Sequence, residues 1–216
     1  PKPLLPILNR PFLEYQLRRL RLAGIRDVVF CLAYRPEAFR RKIGNGRRYG
    51  IRARYCVEAT PLGTGGAVGN ARKYLRGTTL VLNGDMFFDF DLHRMAAFHR
   101  ARRAVATIAL TRVKDPTLYG LVETGRDGRI RRFLEKPTWE EVTTNTINAG
   151  VYLFEPEVLD RIPSGRPGSL ERDVYPALLK DGARLCGWVT SGYWLDIGTV
   201  EKYLQAHRDL LDGVHH

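Results

Sequence analysis

The sequence predicts an α/β fold, a doubly wound mixed sheet flanked by helices. Three observations carry that prediction. Helix-spaced and strand-like segments alternate from Phe12 to Leu110, the apolar runs end at turn residues, and beyond Thr111 short strands follow one another. Alternating elements favour parallel strands covered on both faces, whereas successive strands favour antiparallel pairing, so a chain with both needs a mixed sheet.

In the first part, Phe12 to Ala23 carries Leu13, Gln16, Leu17 and Leu20 at helical spacing, with Gly24 as its C-cap. Val28–Ala33 reads as a strand buried on both faces, the pattern of a central parallel strand. Pro36–Ile43 is a short helix. Ile51, Ala53, Tyr55 and Val57 alternate with Arg52, Arg54 and Cys56, which makes a strand with one wetter face. The glycine-rich turn Pro61–Gly66 opens a helix to Tyr74. Thr79–Leu82 is a buried strand ending at Asn83-Gly84-Asp85, then come a helix over Leu92–Arg102 and a strand at Val105–Leu110. This rhythm is Rossmann-like.

In the second part, Gly120–Glu123, Ile130–Glu135 and Ile147–Phe154 are strands, with Asp127-Gly128 marking a hairpin. Helices at Ser169–Lys180 and Val200–Leu211 flank a strand at Leu185–Thr190. Pro176 is expected to kink or interrupt the first helix, because it lacks an amide hydrogen and crowds the preceding turn. Asp212-Gly213 ends the last, and His215-His216 reads as a tag remnant or an irregular end.

Composition narrows the function classes. A 216-residue chain that is 44% hydrophobic can bury a sizeable core in one domain. No apolar run approaches the roughly 20 residues a membrane span needs, and no secretory leader is visible, so a cytoplasmic protein without a membrane partner is expected. Cys31, Cys56 and Cys186 lack the close spacing of a metal knuckle and are expected to be reduced thiols. The charge of +12, from 35 basic and 23 acidic residues, favours a polyanionic partner. Nucleic acid is not the expected one: the basic residues are scattered, as in Arg18, Arg19, Arg21 and Arg100, Arg102, Arg103, and no nucleic-acid-reading motif appears. Nucleoside triphosphates and sugar phosphates are polyanions too.

Five segments carry chemistry, each with a plainer alternative. Asp85, in Asn83-Gly84-Asp85 directly after an apolar strand, is placed where open α/β sheets bind ligands and suits Mg²⁺ on a phosphate; otherwise it is an Asx-turn. Asp196, in Trp194-Leu195-Asp196-Ile197-Gly198, is a second carboxylate just before a helix capped by Thr199; otherwise it helps cap that helix. In the run Glu58 to Ala67, Gly63, Gly65 and Gly66 leave the backbone approachable to a base edge or an anion. That run is neither the dinucleotide fingerprint nor a P-loop. Glu135-Lys136-Pro137 pairs an acceptor for sugar hydroxyls with a phosphate-gripping cation, or is an exposed ion pair of little value. Lys2 is held between two prolines.

In this order the segments resemble the sugar-phosphate nucleotidyltransferase family. The match runs from Pro1-Lys2-Pro3-Leu4 through Glu58 and Pro61–Gly66, Asn83-Gly84-Asp85, Tyr119-Gly120, Glu135-Lys136-Pro137 and Asn148-Ala149-Gly150 to Tyr193–Gly198, and so covers essentially the whole chain. The resemblance implies Mg²⁺ between Asp85 and Asp196, with Lys2 on the phosphates as a third catalytic residue. It implies a nucleotide site from Glu58, Leu62, Gly63, Thr64, Gly65, Asn83 and Gly84. It implies a sugar 1-phosphate site from Tyr119, Gly120, Glu135, Lys136, Asn148 and Gly150. The domain it implies spans 1–216, with roughly 1–110 for the nucleotide and 111–216 for the sugar phosphate. The family's reaction is an in-line displacement at the α-phosphorus with pyrophosphate leaving, which needs positioning and charge neutralisation more than a protein nucleophile.

One departure stands out. The family opens with a strand and a Gly-Gly-x-Gly-Thr-Arg loop ahead of Pro-Lys-Pro, and this sequence has neither. The expectation is that the natural protein carries them upstream, and that 216 residues alone turn over little or not at all. Ser169–Pro176 and Trp194–Tyr203 resemble the mannose-1-phosphate guanylyltransferase branch, which implies GTP and mannose 1-phosphate. Heptose-1-phosphate guanylyltransferases and uridylyl- or thymidylyltransferases are the alternatives within the family, and a non-catalytic sugar-nucleotide sensor is the alternative outside it. A homo-oligomer is left open.

Overall fold

The computed structural model describes residues 1–214; His215 and His216 lie outside the described residues. In chain order the elements are β1 (Pro6–Ile7), β2 (Arg10–Pro11), α1 (Phe12–Leu22), β3 (Asp27–Leu32), α2 (Pro36–Ile43), β4 (Arg52–Val57), α3 (Gly63–Ala71), β5 (Thr79–Leu82) and β6 (Met86–Phe88). They continue with α4 (Leu92–Ala101), β7 (Ala106–Arg112), β8 (Gly120–Thr124), β9 (Ile130–Glu135), β10 (Thr146–Phe154), α5 (Pro156–Arg161), α6 (Tyr175–Lys180), β11 (Leu185–Val189), β12 (Trp194–Asp196) and α7 (Val200–Leu211). Two compact units divide the chain. The first comprises Pro1–Thr60, Asn83–Asp91 and the residues from Gly192 onward; the second comprises Pro61–Leu82 and Leu92–Ser191.

In the first unit β3 and β4 pair in parallel, Asp27 opposite Arg52 through Leu32 opposite Val57. The helical stripe of α1 buries Leu13, Leu17 and Leu20, and α2 buries Phe39 and Ile43. The Phe30 ring stacks on Tyr55 and tilts against Phe39. Phe30 and Leu32 are buried while Val29 and Cys31, on the other face of β3, are half-buried, so the strand is less enclosed than its apolar run suggests. A second ladder joins β6 to β12, antiparallel, over a core of Ile7, Phe12, Phe87, Ile197 and Ala206. Phe12 meets Phe87 edge-on at 4.7 Å between ring centroids, a favoured geometry for two aromatic quadrupoles.

In the second unit a six-stranded mixed sheet runs in the order β11-β7-β10-β8-β9, with β5 also on β10. The β11–β7 pair is parallel and the other pairs are antiparallel. The nine-residue β10 serves both sides of the sheet. One side faces β7; the other faces β8 at Ile147 and β5 from Val151 to Phe154. Between those two partners its register with β7 shifts, between Asn148 and Tyr152. Ile108, Leu110, Tyr152, Phe154, Val158, Leu170 and Tyr175 centre the core. Pro176 acts as expected: five residues of π-helix, Leu170–Val174, precede α6, and the proline occupies the first turn of α6, where no amide hydrogen is needed. Buried His99 lies 2.7 Å from Thr107 Oγ1 and 2.9 Å from Glu155 Oε1, tying α4 to β7 and the end of β10.

Helix α3 packs so closely on α5 and the chain after it that Gly69 has no room for a side chain. A Cβ there would stand 2.2 Å from the carbonyl oxygen of Pro163 and 2.9 Å from its carbon, both backbone atoms. Glycine to alanine inside a helix ordinarily stabilises by about 1 kcal/mol. Here overpacking reverses the sign, and Gly69→Ala is expected to cost about 1–3 kcal/mol, read as a lower midpoint in urea at unchanged slope.

Candidate active site

The first unit brings the two predicted aspartates together. Asp196 stands opposite Met86 in the β6–β12 ladder, and the amide of Ile197 donates to the carbonyl of Asp85 at 2.9 Å. The pairing thus makes backbone neighbours of two aspartates that are remote in sequence. Asp85 Oδ2 lies 3.5 Å from Lys2 Nζ at the surface. Asp196 pairs through Oδ2 with Lys202 and accepts through Oδ1 from the amide of Gly198 at 2.9 Å. Its carboxylate is the more enclosed, 17% exposed against 41% for Asp85. Thr199 caps α7 by accepting from the Lys202 amide, as its position predicts.

These residues fit a divalent ion. Two hard carboxylates already hold positive charge, and the lysine ammoniums stand where a cation would be attracted. Among the described residues no group of three or more His, Cys, Asp or Glu side chains gathers. A magnesium ion there needs water and phosphate oxygens to complete its octahedron, which is its usual preference.

Other predicted residues lie in the same unit. Lys2 begins a short 3-10 turn, Lys2–Leu4, and Pro3 Cγ lies 3.5 Å from where a Cβ on Gly84 would stand, so the Pro-Lys-Pro segment rests on the Asn83–Asp85 turn. Buried Glu58 follows β4, its amide donating to Leu32 O. Sequence reasoning missed Gln16, which sits in the apolar stripe of α1 and is buried. Its Nε2 donates to the carbonyls of Asn83 at 3.0 Å and Met86 at 2.8 Å, bracketing Asp85. The signal was available: a lone amide among leucines must find buried partners.

The second unit holds the remaining residues. The amides of Gly65 and Gly66 donate to Gly168 O at 2.9 and 3.1 Å, and that of Gly168 to Leu62 O at 2.9 Å. Two of the amides expected to face a ligand are therefore committed to the Gly168 segment. Thr64, with neighbours Leu62 and Gly63, contributes a hydroxyl that donates to Glu171 at 2.7 Å.

Gly120 and Glu135 stand opposite each other across β8 and β9, and the Lys136 amide donates to Tyr119 O at 3.0 Å. A Cβ on Gly120 would come within 3.0 Å of Glu135 Oε2 and 2.8 Å of the Phe133 ring, so this glycine makes room for the carboxylate. Ile147 pairs with Leu121, which brings Asn148 and Gly120 to neighbouring strands one residue from that rung. Asn148 accepts from the Gly150 amide at 2.8 Å; Gly150 adopts a φ of 68° at the bulge. Lys136 is also left-handed, with a φ of 51°, which is costly for a residue with a side chain. The cavity of about 480 Å³ beside His99, Arg100, Arg103 and Glu155 contains none of these residues.

Burial raises the pKa of Glu135, Glu171 adds to the rise, and Lys136 and Arg172 oppose it. A carboxyl raised in the folded state costs stability when ionised, and the cost disappears as pH falls through the raised value towards the ordinary one. Glu135→Gln is thus expected to be more stable than the wild type at neutral pH, with the gap closing as the pH falls into the carboxylate range. Urea midpoints at several pH values would read it; a gap constant with pH would refute it.

Comparisons with known proteins identify the family. The profile of the family described as "Nucleotidyl transferase" matches residues 1–213. A mannose-1-phosphate guanylyltransferase of Mycobacterium tuberculosis is 44% identical over 216 residues, 99% of this chain. A mannose-1-phosphate guanyltransferase of Schizosaccharomyces pombe is 38% identical over 210 residues, 94% of this chain. The chain spans only 60% and 57% of the length of these two relatives. Among solved structures, HddC from Yersinia pseudotuberculosis complexed with GMP-PN superposes with a TM-score of 0.83 at 26% identity, covering 97% of this chain and 90% of that one. By profile, sequence and fold together, the chain belongs to the nucleotidyl transferase family.

Proposed function

We propose that the protein transfers a guanylyl group from GTP to mannose 1-phosphate, releasing pyrophosphate and forming a nucleotide sugar. The observation that carries this reading is the meeting of Asp85 and Asp196 across one ladder, each beside a lysine. Residues up to about Leu110 are assigned to the nucleotide and those beyond to the sugar phosphate. The base belongs on Leu62–Gly65, with Glu58, Asn83 and Gly84 completing the nucleotide site. The sugar 1-phosphate belongs against Tyr119, Gly120, Glu135, Lys136, Asn148 and Gly150. The relatives named as guanylyltransferases favour guanine and mannose over the other bases and sugars of the family.

In the reaction a phosphate oxygen of the sugar 1-phosphate forms a bond to the α-phosphorus, and the bond from that phosphorus to the bridging oxygen breaks, pyrophosphate taking the electron pair. Asp85 and Asp196 would hold Mg²⁺, which supplies charge neutralisation on the phosphates. Lys2 stabilises the negative charge that the leaving group gathers, and Lys136 grips the incoming phosphate as a point charge. Glu135 accepts from sugar hydroxyls, which fixes the attacking oxygen in line. No step needs a protein nucleophile. A cytoplasmic setting accords with the three thiols, of which Cys31 is pushed up to about 12, chiefly by burial.

The test is pyrophosphate release by the complete protein with a panel of nucleotides and sugar phosphates. GTP with mannose 1-phosphate is expected to be the fastest pair and to require Mg²⁺. Preference for UTP or dTTP would overturn the guanylyl assignment, and binding of nucleotide sugar without pyrophosphate release would overturn the transfer itself.

A further inference from the structure

Glu171 lies outside every residue assigned above, yet its carboxylate reaches three side chains from different parts of the second unit. Oε2 accepts from Thr64 Oγ1 at 2.7 Å and from Ser169 Oγ at 2.9 Å, while Oε1 lies 3.5 Å from the hydroxyl of Tyr152. Tyr152 is fully buried, so its phenol depends on the groups within reach. That phenol accepts from Asn148 Nδ2 at 3.0 Å, and Asn148 Oδ1 accepts from the Gly150 amide at 2.8 Å. One continuous series of hydrogen bonds therefore runs from the Pro61–Gly66 loop, through Glu171, to the bulge of β10. The arm at Thr64 is braced again where its Oγ1 accepts from the Leu170 amide at 2.9 Å.

The local backbone explains why Glu171 can reach both ends. Ser169 accepts from the amides of Glu171 and Arg172, and Asp173 accepts from the Ser169 amide at 2.7 Å, which fixes the start of the π-turn. A π-turn sets its side chains at angles an α-helix does not offer, and such turns are frequent at functional sites. The electrostatics agree, since the Glu171 charge is felt at Glu135 in the sugar-phosphate group of residues.

We propose that Glu171 is a positioning residue that couples the two substrate sites, so that nucleotide on the loop at Thr64 and sugar phosphate at Asn148–Gly150 strengthen each other's binding. The inference rests on the assignment of those sites under the proposed function. Its physical basis is that a loop and a bulge sharing one carboxylate are ordered together, so the first ligand bears part of the ordering cost for the second. The coupling is reciprocal by thermodynamic necessity.

Glu171→Gln separates this role from mere structure. The glutamine oxygen can still accept from Thr64 and Ser169, but its amide then faces Tyr152 as a donor. The phenol, which donates to Oε1 in the wild type, then loses the acceptor for its hydrogen, so the link between Glu171 and Tyr152 is broken as built while the arm to the loop is kept. Tyr152→Phe cuts the same arm by another route and nearly preserves volume.

The experiment is calorimetric titration of the complete protein with α,β-methylene-GTP, which cannot transfer its nucleotidyl group, in the presence and absence of mannose 1-phosphate. The wild type is expected to bind the analogue about 5- to 50-fold more tightly when the sugar phosphate is present, within the usual range of coupling between sites. In Glu171→Gln and Tyr152→Phe that ratio is expected to fall below about 2, with the double variant no lower than either, because the links are in series. A wild-type ratio retained in either folded variant overturns the coupling role, as does a ratio near 1 in the wild type itself. Failure of the wild type to bind either ligand alone overturns the functional assignment on which the inference stands.

Discussion

Asp196→Asn is expected to lower kcat/KM for pyrophosphate release by about 10²- to 10³-fold in the complete protein, the scale on which losing one preorganised contact to a developing charge acts. Asp85→Asn should fall in the same range, because the two carboxylates are proposed to share one ion. Their effects on stability should differ. The Lys2–Asp85 pair is exposed, and such pairs contribute about 0–1 kcal/mol, so Asp85→Asn should leave the urea midpoint nearly unchanged. Asp196→Asn removes the carboxylate paired with the more enclosed Lys202 and should cost about 1–2 kcal/mol, although the asparagine oxygen still accepts from Gly198. Raising Mg²⁺ should recover part of the lost rate in each. Gln16→Leu provides a control that touches neither carboxylate. It strands the carbonyls of Asn83 and Met86 and should lower kcat/KM by about 10- to 100-fold, as loss of groups that orient metal ligands commonly does. Wild-type turnover and Mg²⁺ dependence in both asparagine variants would end the metal-site reading.

The second large effect is expected at Lys136. Lys136→Ala and Lys136→Gly both remove the cation proposed for the sugar phosphate, and both should raise KM for it by about 10- to 100-fold, the loss of roughly 1.4–2.7 kcal/mol of charge-assisted contact. Stability should separate them. At a φ of 51°, alanine keeps the steric penalty of about 1–2 kcal/mol that lysine bears, while glycine relieves it. Glycine gives back part of that gain through the greater freedom of the unfolded chain, so Lys136→Gly should be about 1 kcal/mol more stable than Lys136→Ala. Strain retained at a residue proposed to grip substrate would be a trade of stability for geometry. Equal midpoints for the two variants would remove the strain argument, and an unchanged KM in both would remove Lys136 from the site.

Much of the fold was legible because its signals are local. The stripe of α1 and the Asp127-Gly128 turn declare themselves within a few residues, and Pro176 announces the break ahead of α6 through its own covalent geometry. Strands β4 and β5 were legible as strands but not in their burial: β5 is half-buried throughout rather than buried, and at the end of β4 Cys56 is buried and Val57 exposed, the reverse of the expected alternation. Asp85, Asp196, Glu135 and Lys136 were legible as candidates because a charged residue ending an apolar strand has few structural uses. What escaped notice is long-range. The β6–β12 ladder is three residues long on each side, too short for any periodicity, and it exists because Phe87, Leu195 and Ile197 find a shared core with Phe12. Gln16 was counted only as part of the α1 stripe because its partners, Asn83 and Met86, lie far along the chain. The glycines of the Pro61–Gly66 turn were read for openness, yet two of their amides answer to Gly168, whose approach no local pattern announces.

The β10 strand also constrains the order in which this chain can be made. Its partners β5 and β7 leave the ribosome well before it, and neither pairs with the other; each waits for residues 147–154. Contacts so distant in sequence form slowly, and apolar strand edges exposed in the interval invite other chains. Between synthesis of Leu82 and synthesis of Phe154 the nascent second unit therefore carries strands without the partner that joins them, and one edge of β7 stays open until β11 is made.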